Sequence, residues 1–166
     1  MLLALASCAT APDGYPPPFQ RGPLLSDPHP LGPFVAMNDP EAETYFVRDI
    51  SPVAEGTGWR WTHARPELRF WLDSTRKQKL TVDFSIIEAT FKQTGPVTIS
   101  FAVNGKLLGQ AHCRKPGDYH FEKEVPASWL STSAFTDVTA QADKVYVSPG
   151  DQAQLGFILY RIGFTS

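Results

Sequence analysis

The chain has 166 residues, 15 basic and 17 acidic for a formal charge of −2, with 42% apolar and 12% aromatic side chains, enough for one ordinary core without requiring two domains. Near-neutral charge without a Lys/Arg-rich run argues against nucleic acid as the main partner, since phosphate binding needs a concentrated positive field, and no apolar stretch approaches the ~20 residues of a membrane span. Fifteen prolines and twelve glycines in a chain only 19% charged rule out a long-helix or coiled-coil protein.

The chain begins Met1-Leu-Leu-Ala-Leu-Ala-Ser-Cys8, an apolar run that ends in Leu5-Ala6-Ser7-Cys8. This segment resembles the tail of a bacterial lipoprotein signal peptide, in which a Leu and two small residues precede the cysteine that is acylated. The peptidase grips an extended chain at the small residues, and the thiol carries the lipid. A complete secretory signal also has a basic n-region and a longer apolar core, whereas here Met1 leads directly into the leucines. The resemblance implies lipidation at Cys8, anchorage in a bacterial cell envelope at the outer membrane, and contact with the bilayer through the lipid alone. Only Cys113 would then remain, so no intramolecular disulfide is expected. Its setting, Leu108-Gly-Gln-Ala-His-Cys113, suits a buried and inert thiol.

Residues 9–40 hold nine prolines and three glycines, with charges at Asp13, Arg21, Asp27 and Asp39 only. Proline lacks the backbone donor and pushes its predecessor to extended geometry, so the stretch reads as a linker, with Tyr15-Pro-Pro-Pro-Phe19 favouring polyproline II. The division expected is a signal tail at 1–8, a tether at 9–40 and a folded domain at 41–166.

Beyond Pro40 the pattern is one of short apolar-polar alternation. Strands are expected at Thr44–Ile50, Gly58–His63, Glu67–Leu72, Lys79–Ile87, Val97–Asn104, Lys106–Cys113, Tyr119–Lys123, Lys144–Val147 and Gln154–Phe164. Leu80, Val82, Phe84 and Ile86 oppose Thr81, Asp83 and Ser85, and Val97, Ile99, Phe101 and Val103 oppose Thr98, Ser100 and Ala102, giving each strand one core face. Asn104-Gly105 between two such strands supplies the positive φ angles of a type I′ hairpin. The one helical turn expected is Pro126-Ala-Ser-Trp-Leu130. Strands at this spacing predict an all-β fold, an antiparallel two-sheet sandwich.

Gly58-Trp-Arg-Trp-Thr62, Leu68-Arg-Phe, Val97-Thr-Ile-Ser-Phe-Ala-Val-Asn-Gly-Lys-Leu-Leu-Gly109, Val125-Pro126, Val147-Ser-Pro149 and Leu155-Gly-Phe-Ile-Leu-Tyr-Arg-Ile162 together resemble galactose-binding-domain-like jelly rolls. Similar modules are appended to, or encoded beside, bacterial enzymes that handle surface polysaccharides. The resemblance implies a β-sandwich with non-catalytic sugar binding or accessory support. Related modules often carry an acidic-basic pair before the Leu-Gly of the last strand, where this chain has Asp151-Gln-Ala-Gln154.

No local signature of a hydrolase elbow, a zinc protease, a phosphate loop or a redox Cys pair occurs. Paired carboxylates for glycoside hydrolysis would have to come from Asp73, Asp83, Glu88 or Asp118, and catalysis is not expected. His63, His112 and His120 lack metal-ligand spacing. A structural calcium would draw on Gly117-Asp118 or Pro149-Gly150-Asp151; no other cofactor is expected.

Sugar recognition needs a ring on which a pyranose stacks, with fixed donors and acceptors nearby. Trp59 and His63 share one side of a strand, with Arg65 in the turn beyond. Trp61 lies on the same side, although a Trp pair at period two packs more often into a core, and Trp61 is expected there. Trp71 stands opposite plainly apolar neighbours and so should face outward. Tyr119 and His120 follow the Pro116-Gly117-Asp118 turn at a loop end, where jelly rolls commonly bind ligand. The candidate carbohydrate site is therefore Trp71, Tyr119, His120, Trp59, His63 and Arg65. The expected partner is a carbohydrate or surface polysaccharide, the alternative being a structural module that docks an envelope protein.

Overall fold

The structure is a computed structural model and describes residues 31–56 and 58–166. Cys8, the lipobox-like run and the Pro-rich tether as far as residue 30 lie outside the described residues. Eleven strands and one helix follow in chain order: β1 (Phe34–Ala36), β2 (Phe46–Ile50), β3 (Arg60–Phe70), β4 (Lys79–Ile86), α1 (Glu88–Thr94), β5 (Val97–Val103), β6 (Lys106–Cys113), β7 (Gly117–Glu124), β8 (Thr136–Ala142), β9 (Tyr146–Val147), β10 (Gln154–Leu155) and β11 (Ile158–Thr165). Short 3-10 turns stand at Ala42–Tyr45 and Ala127–Trp129.

The fold is all-β, an antiparallel two-sheet sandwich. One sheet runs β1-β11-β4-β7 and the other β2-β3-β8-β5-β6. They join along one side, where β3 meets β11 at Trp61–Ile158 and Arg60–Leu159. Between the sheets the alternating faces read from the sequence come together. Leu80, Val82, Phe84 and Ile86 are buried opposite Val97, Ile99, Phe101 and Val103. Aromatic rings tie the layers: Phe84 and Phe101 lie 6.0 Å apart, Phe101 stacks on Phe121 at 4.2 Å, and Phe70 meets Phe164 edge-on at 5.7 Å. Cys113 is fully buried in this core, and burial, with Asp143 as a lesser influence, pushes its thiol up to about 11.

The Asn-Gly hairpin forms as expected, with φ of 47° at Asn104 and 75° at Gly105 between β5 and β6. Other elements depart from expectation. The folded unit begins before residue 41: Leu31, Val35 and Met37 are buried, and β1 pairs with β11 from Phe34–Gly163 to Ala36–Arg161. Three residues suffice for this edge strand, because Pro33 needs only its carbonyl, which accepts from the Phe164 amide at 2.7 Å.

The two strands expected at Gly58–His63 and Glu67–Leu72 are one. Pro66 is tolerated inside β3 because β3 changes sheets around it, with Arg60 and Trp61 paired to β11 and residues 67–70 paired to β8. The last expected strand is two, broken at Gly156. A Cβ there would stand 2.3 Å from the His63 carbonyl oxygen, and the Gly156 amide donates to the Thr62 carbonyl at 2.8 Å. Helix α1 and strand β8 were not expected at all.

Candidate functional site

The groove over the outer face of the first sheet brings most chemistry together. Strand pairing sets Arg161 of β11, Asp83 of β4 and His120 of β7 in one row across three strands. Asp83 sits between two donors: its Oδ1 meets His120 Nδ1 at 2.5 Å, and its Oδ2 accepts from Arg161 Nε. Burial of the carboxyl would raise its pKa, but the bonds from His120 and Arg161 overcome this and hold it below the ordinary value. The imidazole proton shared with Asp83 is on Nδ1, which leaves His120 Nε2 for other partners.

A bulge sharpens the row. Between Leu159 and Arg161 the register of β11 against β4 slips, so Tyr160 and Arg161 together face the groove instead of alternating. The Tyr160 hydroxyl donates to Asp118 Oδ1 at 3.4 Å. Asp118 lies on β7, with Ser85 of β4 opposite it, so the phenol must cross over β4 to reach it. Burial, followed by the charge of Asp118, raises the Tyr160 pKa and keeps the phenol neutral. The result is a groove of about 390 Å³ lined by an aromatic ring, two carboxylates, an imidazole and a guanidinium. Such a mix suits a ligand that presents both an apolar face and several hydroxyls.

Of the residues expected to bind, Tyr119 and His120 both line this groove, and the Tyr119 ring also packs toward the core. Successive strand residues point to opposite faces, and Tyr119, paired with Phe84, stacks on that buried ring at 5.5 Å on the inner side. Its hydroxyl donates to the Lys115 carbonyl at 2.5 Å and so braces the preceding loop. Trp71 lies elsewhere: it is half-buried against the core and meets Phe135 edge-on at 5.4 Å. Phe135 in turn lies under Arg69, whose guanidinium carbon is 5.5 Å from the ring centre. Asp83 and Asp118 share the groove, but Asp73 lines a different hollow, and Glu88 pairs with Lys92 along α1.

Trp59, Trp61 and His63 belong to a second cleft of about 330 Å³ beside β9 and β10. Trp61 and His63 line it, and Trp59 stands edge-on to Trp61 at 5.8 Å. Trp61 is not a core residue. The inward positions of β3 are taken by Arg60, 5% exposed, and Thr62, because both find partners for their polar atoms there. Arg60 Nε donates to the Met37 carbonyl at 3.1 Å, and Nη1 reaches Glu43 Oε1 at 3.3 Å and the carbonyls of Ser51 and Pro52. Thr62 Oγ1 donates to the Phe157 carbonyl at 2.9 Å and accepts from its amide at 3.0 Å. Arg65 is exposed, and its backbone amide donates to Asp49.

The three histidines expected not to share a metal are separate, on Gln154, Thr98 and Asp83 respectively. Among the described residues no group of three or more His, Cys, Asp or Glu side chains converges, at Gly117-Asp118 and Pro149-Gly150-Asp151 as elsewhere.

The chain matches no protein-family model and no curated protein. Solved structures similar to it include a family 35 carbohydrate-binding module from an environmental isolate, at 12% identity and a TM-score of 0.45 over 73% of this chain and 86% of that one. A family 35 module from Clostridium thermocellum aligns at 11% identity and a TM-score of 0.45, over 80% and 98%. A Xyl-CBM35 in complex with a glucuronic acid containing disaccharide aligns at 14% identity and 0.46, over 80% and 92%.

Proposed function

We propose that the chain is a non-catalytic carbohydrate-binding module that holds its ligand in the Tyr160 groove. The observation that carries this reading is the Tyr160 ring crossing β4, flanked by the Arg161–Asp83–His120 row. A pyranose stacked on the phenol would find donors in the Arg161 Nη atoms and acceptors in the carboxylates. Asp83, with both oxygens engaged by donors and held ionised, does not suit the role of a glycosidase's proton donor.

The test is a glycan array followed by calorimetric titration of the best ligand. Tyr160→Ala and Arg161→Ala should each weaken it by ~1–3 kcal/mol, the scale of losing a large contact or a charged hydrogen bond, with both variants still melting cooperatively as folded domains. Wild-type affinity in both variants would remove the groove from the reading, and silence across the array would favour docking of an envelope protein instead.

The same reading places the module on a lipid-bearing Cys8 in a bacterial envelope, supported by the lipobox-like Leu5–Cys8. With a complete upstream signal, labelled palmitate should enter the protein and be lost in Cys8→Ser; equal fractionation of the two forms would exclude the anchor.

A further inference from the structure

The cleft beside β9 and β10 is a second, separate surface, and its polar groups have a one-sided chemistry. Its floor is the half-buried Trp61, steadied by Trp59, and its wall is the β9–β10 hairpin, held to β3 by His63 Nδ1 on the Gln154 carbonyl at 2.6 Å. A carbonyl only accepts, so Nδ1 carries the proton, and Nε2 is an acceptor in the neutral ring. The two serine hydroxyls are already spent as donors: Ser51 Oγ donates to the Val53 carbonyl at 3.3 Å, and Ser148 to Asp151. Glu55 and Asp151 can only accept while ionised. The Ser148 hydroxyl and then the Ala153 amide hold Asp151 below the ordinary carboxylate value, so it is charged at neutral pH. Among the described residues no Lys or Arg lines the cleft. Arg60, whose guanidinium reaches the carbonyls of Ser51 and Pro52 at the cleft's edge, is buried and paired there with Glu43 and those carbonyls and that of Met37. Apart from the indole N–H groups, the cleft therefore offers acceptors, negative charge and an aromatic face.

We infer that this cleft binds an amino sugar, with its protonated amine set toward Trp61 and the Glu55 and Asp151 carboxylates. An ammonium supplies three donors where the wall supplies acceptors, and its charge is drawn to the indole face and to both carboxylates. The sugar ring supplies the apolar face that a bare cation lacks. N-acetylation would remove the charge, and a uronic acid would set like charges against each other.

The test is titration calorimetry of the full chain with three trisaccharides: β-linked glucosamine, its N-acetylated counterpart and a uronic acid oligomer, with choline as a fourth ligand. The glucosamine trisaccharide should bind on the order of tenfold tighter than the acetylated one, the scale of an ammonium on an aromatic face. The indole N–H signals of Trp59 and Trp61 should shift in NMR, while those of Trp71 and Trp129 stay. Asp151→Asn keeps an oxygen for the Ala153 amide and so the turn, but should narrow the preference by a similar factor. Trp61→Ala should abolish binding, whereas Tyr160→Ala should leave it unchanged, which separates this cleft from the proposed groove. Equal binding of the acetylated sugar, choline as tight as the trisaccharide, an unchanged Asp151→Asn, or loss of binding in Tyr160→Ala would each overturn the assignment.

Discussion

Thr136 is fully buried, and its Oγ1 has no hydrogen-bond partner. A hydroxyl removed from water without a partner costs about 1–3 kcal/mol. Valine keeps the branched shape and removes that cost, so Thr136→Val should raise stability by roughly 1 kcal/mol, read as a higher urea midpoint at constant m-value. A loss of stability would show that the hydroxyl has a partner after all. Arg60 is the opposite case, a buried charge whose Nε and Nη1 find acceptors and whose guanidinium carbon lies 5.2 Å from the Phe46 ring centre. The contrast explains why burial of a polar residue could not be read from the alternation Trp59-Arg-Trp-Thr62. Hydropathy alone sends the indoles inward, and only the carbonyls of Met37, Ser51 and Pro52, distant in sequence, make the inward Arg60 favourable.

At the scale of elements, the Arg161–Asp83–His120 row couples β11, β4 and β7, and its stabilising effect depends on pH with a definite sign. Asp83 has a folded pKa below its unfolded one, so its contribution is fully present above the unfolded value and is lost as pH falls through the folded value. Stability should therefore decline in acid, below the ordinary carboxylate range, and Asp83→Asn should flatten that part of the decline while lowering stability at neutral pH. Urea midpoints of both proteins at several acidic pH values decide it; parallel curves would show that the row does not contribute.

The same element scale shows what the sequence could reveal. The β5–β6 hairpin was legible because Asn104-Gly105 is a local device needing no distant partner. Strand β8 was not, because its inward residues Val138, Ala140 and Ala142 carry too little apolar contrast against Asp137, Thr139 and Gln141. Helix α1 has no side-chain cap at Ile87 and only seven residues, and what ends it is Gly95, whose amide closes on the Phe91 carbonyl at 2.8 Å. His120 was found by its place after a turn. Tyr160 and Arg161 were missed because they look like ordinary alternating strand residues, and it is the bulge, a property of pairing, that turns both to one groove.

For the molecule as a whole, the pairing that closes the described fold is between its two ends. Strand β1 lies against β11, so residues 34–36 are bonded to residues 161–163. Around it Leu31 is buried, the Gly32 amide donates to the Tyr45 hydroxyl at 2.8 Å, and the Met37 amide donates to the Tyr160 carbonyl at 2.8 Å. That last bond caps the bulge of the proposed groove, so the first strand also supports Tyr160 and Arg161 from behind. Burying Val35 and Met37 is worth about 1.5–3 kcal/mol each, and each kcal/mol moves the midpoint of a domain this size by ~2–4 °C. A chain starting after residue 38 should thus melt on the order of 10 °C or more below one starting at residue 31. It should also bind the groove ligand more weakly, because the bulge loses its partner, while amino-sugar binding in the Trp61 cleft should change less. Equal midpoints in differential scanning calorimetry would mean that β1 is dispensable, and that the groove is held by β4, β7 and β11 alone.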